Sequence, residues 1–212
     1  MQNYRKLIMH SMAFPPISLV GYFFMVNSAL TENYEHYQKR SFRNRYFLGS
    51  HQGPKMLSIP LEKGKNQQLP IDQVRISYTM DWPQQQLRFI QSNYGNSPYY
   101  AYYKDDLDDI FHKQFDYLVD FNNAAMKLIL QWLQLQIPIE KTDAYVQQYP
   151  ENILDLRRFT PLIEKTQMNN PVYRQHFDTV FQDHLCILDL IFHLGPETRL
   201  YFTTASNLYP YA

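Results

Sequence analysis

Residues 35–45 bring together side chains that are suited to binding an anion. The segment contains one imidazole, two aromatic rings and four cations, which are His36, Tyr37, Phe42, Lys39, Arg40, Arg43 and Arg45. Neighbouring guanidinium groups repel each other unless a negative group lies between them. The segment therefore predicts a binding site for an acidic or phosphorylated small molecule.

A strand from Arg43 to Leu48 would decide which of these side chains act together. Alternation along a strand places Arg43 and Arg45 on one face and Asn44 on the other. The same pattern also describes a solvated basic edge strand, because exposed charges protect sheet edges from pairing. On these residues alone both interpretations stay open.

His10 is the candidate proton carrier, because an imidazole titrates near neutral pH. A single histidine after a strand is also common as a structural residue, so two interpretations apply. Asn122 and Asp189 interrupt apolar helical patterns, and each either lines a ligand pocket or is a buried polar group with protein partners. For Asp189 the structural interpretation is an ion pair with Arg43 or Arg45.

Strands in the first part of the chain must position these candidates. A strand is predicted over residues 6–9, which places His10 at its end, and Pro16 opens a buried helix over 17–26. Further strands are predicted at 45–48, 55–61 and 74–78, each next to polar or Gly-rich connections.

Helices are predicted to dominate the later part of the chain. Asp81 marks the start of a helix over 82–93, and apolar residues at alternating steps of three and four predict one long helix over 107–136. Residues 140–168 are predicted to be irregular, and a last helix covers 185–194. These elements predict a single α+β domain over residues 1–212, a small mixed sheet from the N-terminal half packed against a predominantly helical C-terminal half.

Composition argues against several classes of protein. Twenty cations balance twenty anions, which does not favour a general nucleic-acid or membrane-surface binder. About ten apolar residues at 17–26 are too few to span a bilayer, so no membrane insertion is predicted. A single cysteine excludes an intramolecular disulfide and favours a cytoplasmic location.

The absence of several motifs and the high aromatic content bear on metals, cofactors and oligomeric state. The chain has no Gly-rich phosphate loop, no Cys-x-x-Cys pair and no His-Glu-x-x-His, so no metal site is predicted and no cofactor is assigned. Its 18 tyrosines and 14 phenylalanines favour an exposed aromatic patch and hence a homodimer.

Several motifs resemble those of the WbqC-like protein family and occur in the family's order. The main one is Phe42-Arg43-Asn44-Arg45, an aromatic residue before an Arg-Asn-Arg triplet. The others are His10, Phe14 and Pro16; Leu57-Ser58-Ile59-Pro60; Ile71 and Ile76-Ser77-Tyr78; Trp82, Tyr94, Ser97-Pro98 and Tyr103; Asp120-Phe121-Asn122; Tyr173, Gln175 and Phe177; and residues 186–192. The resemblance extends from about residue 10 to residue 195.

This resemblance implies a role in surface-polysaccharide or O-antigen biosynthesis, with a group transfer on a sugar nucleotide or another phosphorylated or acidic intermediate. In this hypothesis His10 carries the proton, while Arg43 and Arg45 bind phosphates or a carboxylate through paired hydrogen bonds. Aromatic rings, Phe42 among them, pack against a sugar or base. The predicted substrate-binding set is His36, Tyr37, Arg43, Asn44, Arg45, Trp82, Tyr94, Asn122 and Asp189.

Two other classes of function stay open. A non-catalytic ligand-binding or assembly protein of the same pathway would use the same pocket without a titrating group. A single-strand nucleic-acid binder would use aromatic rings between cations, although the zero net charge does not favour it. A single ligand pocket requires that His10 and Arg43 share one cleft with Asn122 or Asp189.

Overall fold

The computed structural model describes residues 5–64, 66–177 and 180–204. Two sheets occur within these residues: four parallel strands in the order β5-β2-β1-β6, and the antiparallel pair β3-β4. The strands are β1 Lys6–His10, β2 Ser28–Glu32, β3 Arg45–Leu48, β4 Lys55–Ser58, β5 Ile139–Lys141 and β6 Ile153–Leu156. The helices are α1 Ile17–Phe23, α2 Trp82–Tyr94, α3 Tyr100–His112, α4 Leu118–Trp132, α5 Pro161–Gln167, α6 Ile187–Leu194 and α7 Thr198–Thr204.

The centre of the parallel sheet is the unit β1-α1-β2. Parallel neighbours need a crossover connection between them, and α1, whose residues are all buried, provides it. Pro16 stands at the start of the helix, as predicted, at the N-cap position with an extended backbone, and α1 ends at Phe23, three residues earlier than predicted. The early end frees the chain to turn into β2, a strand that the sequence analysis missed.

The predicted long helix over residues 107–136 is wrong, because residues 113–117 separate α3 from α4. This stretch bonds instead to the segment around Val74. The Ile76 amide donates to the Asp116 carbonyl at 2.9 Å, and the Leu118 amide donates to the Val74 carbonyl at 2.8 Å. These contacts replace helical hydrogen bonds, so periodicity alone overestimated the helix. The predicted strand at 74–78 forms only isolated bridges, to Leu61 and Tyr117.

The prediction of an irregular segment over residues 140–168 is also wrong. This segment completes the parallel sheet, since β5 pairs with β2 and β6 pairs with β1, and it also contains α5. The predicted α+β class is confirmed, with parallel and antiparallel strands beside a large helical fraction.

Aromatic rings from α2, α3 and α4 fill the core beside the β3-β4 pair. Trp82 is 3% exposed, and its ring lies 5.6 Å from the ring of Phe121 and 5.9 Å from that of Phe111. Phe14 packs edge-on against Tyr46 at 4.9 Å. The ring of Trp82 is therefore enclosed by other rings in the core.

Candidate functional site

Polar side chains gather where the four parallel strands end. β1 ends at His10 and pairs with β2 so that His10 lies opposite Glu32, while Thr142 and Arg157 directly follow β5 and β6. Because all four strands are parallel, these strand ends lie at one edge of the sheet. Ligands in open α/β sheets bind in the crevice outside the carboxyl ends of the strands.

His10 has a defined protonation state at this edge. Its ring is fully buried, and Nδ1 lies 3.2 Å from the Arg157 carbonyl oxygen, so Nδ1 carries the proton and donates it. Nε2 has no hydrogen-bond partner among the described residues. Burial, and then the charge of Arg43, hold the pKa of His10 well below its ordinary value of 6.5. The ring is thus neutral at physiological pH, with a free lone pair on Nε2.

Glu32 and Arg157 form a buried ion pair beside His10. Arg157 Nη1 lies 3.3 Å from Glu32 Oε2. Glu32 Oε1 also accepts from the Thr142 hydroxyl at 2.9 Å and from the Tyr34 amide at 2.9 Å. Strands β1, β2, β5 and β6 are thereby tied together by polar side chains at their ends. Neither member of this pair was predicted from the sequence.

The guanidinium of Arg157 is held on several sides. Asp155 accepts from Nη2 at 2.6 Å and from Nε at 2.9 Å, and these hydrogen bonds raise the pKa of Arg157. The rings of Tyr145 and Tyr149 lie 5.2 Å and 4.8 Å from the guanidinium carbon, within the range of cation–π attraction. Arg157 is therefore a fixed element of the site, and its backbone carbonyl orients His10.

Arg43 pairs with Glu35 rather than standing as a free cation. Arg43 Nε donates to Glu35 Oε1 at 2.8 Å, and Nη2 donates to Oε2 at 2.5 Å. Both side chains are buried, and burial raises the pKa of Glu35 against the opposing effect of Arg43. Glu35 thus occupies the place that the sequence analysis gave to an anionic ligand. Arg43 Nη1 still has no partner in the described part of the chain.

Asn122 of α4 joins the elements around His10. Its Nδ2 donates to the Arg43 carbonyl at 2.9 Å and to the Ser11 hydroxyl at 3.0 Å. Its Oδ1 has no hydrogen-bond partner among the residues that the structure describes. The structure therefore brings His10, Arg43 and Asn122 together, and each of them carries one unpartnered polar atom. These three residues with Glu32, Glu35 and Arg157 are called the strand-end cluster below.

An open groove runs beside the strand-end cluster. Its two parts have volumes of about 710 Å³ and 740 Å³ and share Glu35, Gln38 and Tyr145. The predicted residues His36 and Tyr37 line it, together with Lys39, Gln147, Tyr149 and Arg158. A groove of this size and polarity accommodates a ligand as large as a sugar nucleotide.

Tyr37 lines the groove and contacts Asn44, the residue before β3, whereas neither Asn44 nor Arg45 lines the groove. The Tyr37 hydroxyl donates to Asn44 Oδ1 at 2.8 Å, and Asn44 Nδ2 donates to the Ile59 carbonyl at 3.0 Å. Arg45, in β3, is partly exposed. Asn44 is thus held by protein partners, while Arg45 is the more accessible of the two predicted arginines.

Tyr94 and Asp189 belong to a different cluster, at the other end of β3. Tyr94 and Tyr173 both donate their hydroxyl protons to Asp189, and Gln175 Nε2 lies 3.2 Å from the carboxylate. The Tyr94 oxygen also accepts from the amide of Gly49, directly after β3. The predicted ion pair between Asp189 and an arginine is therefore wrong, since hydroxyl groups stabilise this carboxylate.

Two histidines extend the Asp189 cluster, and the sequence analysis missed them. His193 Nδ1 lies 2.7 Å from the Asp189 carbonyl oxygen, and His193 Nε2 lies 2.7 Å from His176 Nδ1. Burial lowers the pKa of His176. Since β3 spans roughly 13 Å between the two clusters, the Asp189 cluster and the strand-end cluster do not form one site.

The missed residues of the strand-end cluster follow two missed strands. Leu154 and Leu156 alternate with Asp155 and Arg157, a half-buried strand pattern that was available in the sequence. Among the described residues, no group of three or more His, Cys, Asp or Glu side chains is placed to hold a metal ion. The described helices include none that is long and apolar enough to cross a membrane.

Fold and site together define an α+β protein with a buried ionic cluster at the carboxyl ends of a short parallel sheet. The model of the WbqC-like protein family matches residues 11–161, so the chain belongs to this family. The match contains Glu32, Glu35, Arg43, Asn122 and Arg157, begins one residue after His10 and ends before Asp189. No curated protein and no solved structure matches the chain.

Proposed function

We propose that the chain acts in surface-polysaccharide or O-antigen biosynthesis as a cytoplasmic group transferase on a sugar nucleotide or another phosphorylated or acidic intermediate. One observation carries the proposal. His10 is a neutral imidazole whose Nδ1 proton is fixed by the Arg157 carbonyl and whose Nε2 lone pair is free. Such a nitrogen accepts the proton from a hydroxyl or amine as that group attacks the transferred carbon or phosphorus, while the bond from that atom to the leaving phosphate breaks and the phosphate departs with the electron pair.

The groove supplies the chemistry that recognises the proposed ligand. Lys39 and Arg158 are exposed on its walls and form no ion pair with any residue that the structure describes. Tyr34 and Tyr145 are 50% and 54% exposed, so the exposed part of each ring can pack against a sugar or base while Tyr145 keeps its contact with Arg157. The acidic part of the ligand meets the two cations, and the ring part meets the tyrosines.

Arg43 has a different role from the one that its motif suggested. Its charge is balanced by Glu35, so an added phosphate at Arg43 would compete with a carboxylate already in place. We assign Arg43 to holding the segment after β2 against β3, with the free Nη1 proton left for a neutral oxygen of the ligand. The exposed cations of the groove then carry the anion binding.

A non-catalytic ligand-binding protein is the second candidate function, and one observation favours it. His10, Arg43 and Asn122 are 0%, 1% and 1% exposed. Enclosed polar groups of this kind often stabilise a fold without taking part in a reaction. The two candidates differ in one measurable respect, which is whether a bound sugar nucleotide is turned over.

Titration calorimetry with UDP-glucose as a representative diphosphate sugar tests the groove. We expect binding that is lost with glucose alone and that weakens about tenfold in Arg158→Gln, because a charge-assisted hydrogen bond is removed. Arg88→Gln is the matched control, since Arg88 is an exposed arginine on α2 that does not line the groove. Equal affinity in Arg158→Gln and the parent, or tighter binding of a single-stranded oligonucleotide than of UDP-glucose, would contradict the proposal.

A further inference from the structure

A second cavity lies on the opposite face of the parallel sheet from the groove. Met9 and Thr31 pair in register on β1 and β2, and both line this cavity of about 350 Å³. Asp155, which lines the groove, pairs with Ile8. Because neighbouring strand residues point to opposite faces, Met9 and Asp155 lie on different sides of the sheet. The cavity and the groove therefore lie on opposite faces of the sheet and share no lining residue.

The walls of the cavity are apolar and adaptable. Helix α4 closes one side and strands β1, β2 and β5 the other, and the apolar lining consists of Met9, Met12, Met126, Leu130, Ile137 and Ile139. Methionine side chains are flexible and polarizable, so they adjust to apolar ligands of different shape. The volume falls in the lower part of the range for small-molecule pockets. These properties suit a short aliphatic chain.

Charged side chains stand on the polar part of the same lining. Lys127, Glu140 and Lys141 are exposed, and neither lysine forms an ion pair within the part of the chain that the structure describes. Two lysines against one glutamate leave an excess of positive charge. An aliphatic ligand with an anionic head matches this combination, because the head meets the lysines while the chain enters the apolar part.

The cavity also touches the strand-end cluster through one residue. Ser11 lines the cavity, and its hydroxyl accepts the hydrogen bond from Asn122 Nδ2 at 3.0 Å. Ser11 directly follows His10 in the sequence. A ligand in the cavity therefore contacts the residue that directly follows His10.

We infer that this cavity is a binding site for a short acyl chain that carries an anionic head group, and that Lys127 and Lys141 bind the head. The inference does not depend on the sugar-nucleotide assignment, since its residues differ from those of the groove. It adds an aliphatic ligand class to the acidic one proposed for the other face of the sheet.

Binding of octanoate, followed by titration calorimetry and by methyl NMR of the methionines, tests the inference. We expect octanoate to bind, to shift the methyl signals of Met9 and Met126, and to bind more tightly than butyrate, which buries fewer methylene groups. Leu130→Trp fills the cavity with a larger side chain, and we expect it to weaken octanoate binding by about tenfold or more. Leu200→Trp, at a residue of α7 that is 61% exposed, is the control for adding a tryptophan.

A separate experiment tests the contact between the head group and the two lysines. We expect the double variant Lys127→Gln, Lys141→Gln to weaken octanoate binding roughly two- to fivefold, as for exposed charge contacts, and octylamine to bind less tightly than octanoate to the parent. Absence of octanoate binding, or equal binding by Leu130→Trp, would overturn the acyl site. Equal affinity for octylamine would overturn the anionic head. UDP-glucose titrated in parallel shows whether the groove functions independently of either result.

Discussion

Replacing His10 with Gln is expected to lower turnover by roughly two to four orders of magnitude, the usual loss for a general acid or base. Affinity for the sugar nucleotide is expected to stay within about twofold, because a general base stabilises the transition state and contributes little to ground-state binding. The amide nitrogen of Gln lies at the position of Nε2, whereas that of Asn lies at the position of Nδ1, so His10→Asn is measured alongside as the variant that keeps the hydrogen bond to the Arg157 carbonyl.

Single-turnover kinetics and calorimetry on the same preparations separate these two effects. His112→Gln is the matched control, since His112 is an exposed histidine at the end of α3, away from the groove and the strand-end cluster. If affinity and turnover fell together in His10→Gln, the residue would serve binding alone. If neither changed, His10 would be a structural residue, and the second candidate function would gain support.

Replacing Glu35 with Gln is expected to destabilise the protein by roughly 3–5 kcal/mol, because it leaves the guanidinium of Arg43 buried without a carboxylate. The side chain of Arg43 has no exposed surface, so water cannot replace the lost partner. Glu62→Gln provides a matched comparison within the same chain. Glu62 pairs with Arg75 at 3.4 Å, but both side chains are about half exposed, and such pairs contribute roughly 0–1 kcal/mol.

Urea unfolding at neutral pH measures the free energy of unfolding of both variants and the parent. If Glu35→Gln lowered the free energy of unfolding no more than Glu62→Gln does, solvent would reach the pair between Arg43 and Glu35. The strand-end cluster would then not be enclosed. The double variant Glu35→Gln, Arg43→Gln is expected to be less destabilised than the sum of the two single variants, since the unpaired charge is then removed.

Helices and strands whose boundaries depend on nearby residues formed close to where the sequence predicted them. β1 ends at His10, and α2 begins after Asp81, whose carboxylate accepts from the Gln84 amide at 3.4 Å. α6 ends before Gly195, which adopts a positive φ of 52°. Each of these boundaries depends on residues within about one turn or strand, and such signals are readable from a single sequence.

Elements fixed by distant partners were not readable in this way. The break between α3 and α4 depends on hydrogen bonds to residues 74–76, about forty positions earlier in the chain. β5 and β6 are short, and each obtains its hydrogen bonds from β2 or β1, more than a hundred residues away. β5 has three residues and β6 has four, so even the alternation over residues 154–157 was too short to distinguish a strand from a loop without its partner strands.

The site shows the same division. Residue type and position in the sequence pattern identified His10, Arg43 and Asn122 as candidates, and the fold brings these three together. The carboxylate that neutralises Arg43 was visible in the same segment, as Glu35, but its role depends on a bend of the chain that no motif describes. Glu32 and Arg157 were missed because their strands were missed. Asp189 was predicted to pair with an arginine. Its hydrogen-bond partner is instead Tyr94, which lies 95 residues earlier in the chain.

The tautomer and protonation of His10 test the central claim most directly. Nitrogen-15 NMR of the imidazole, assigned by comparison with His10→Gln, reports which nitrogen carries the proton. We predict a neutral ring with the proton on Nδ1 that stays neutral as the pH falls below 6.5, the ordinary pKa, because burial disfavours the imidazolium. Unfolded chains take up this proton below pH 6.5, so the parent is expected to lose stability there by up to about 1.4 kcal/mol per pH unit. A ring protonated at neutral pH, or a neutral ring with its proton on Nε2, would leave no free lone pair on Nε2 and would contradict the proposed role of His10 as proton acceptor.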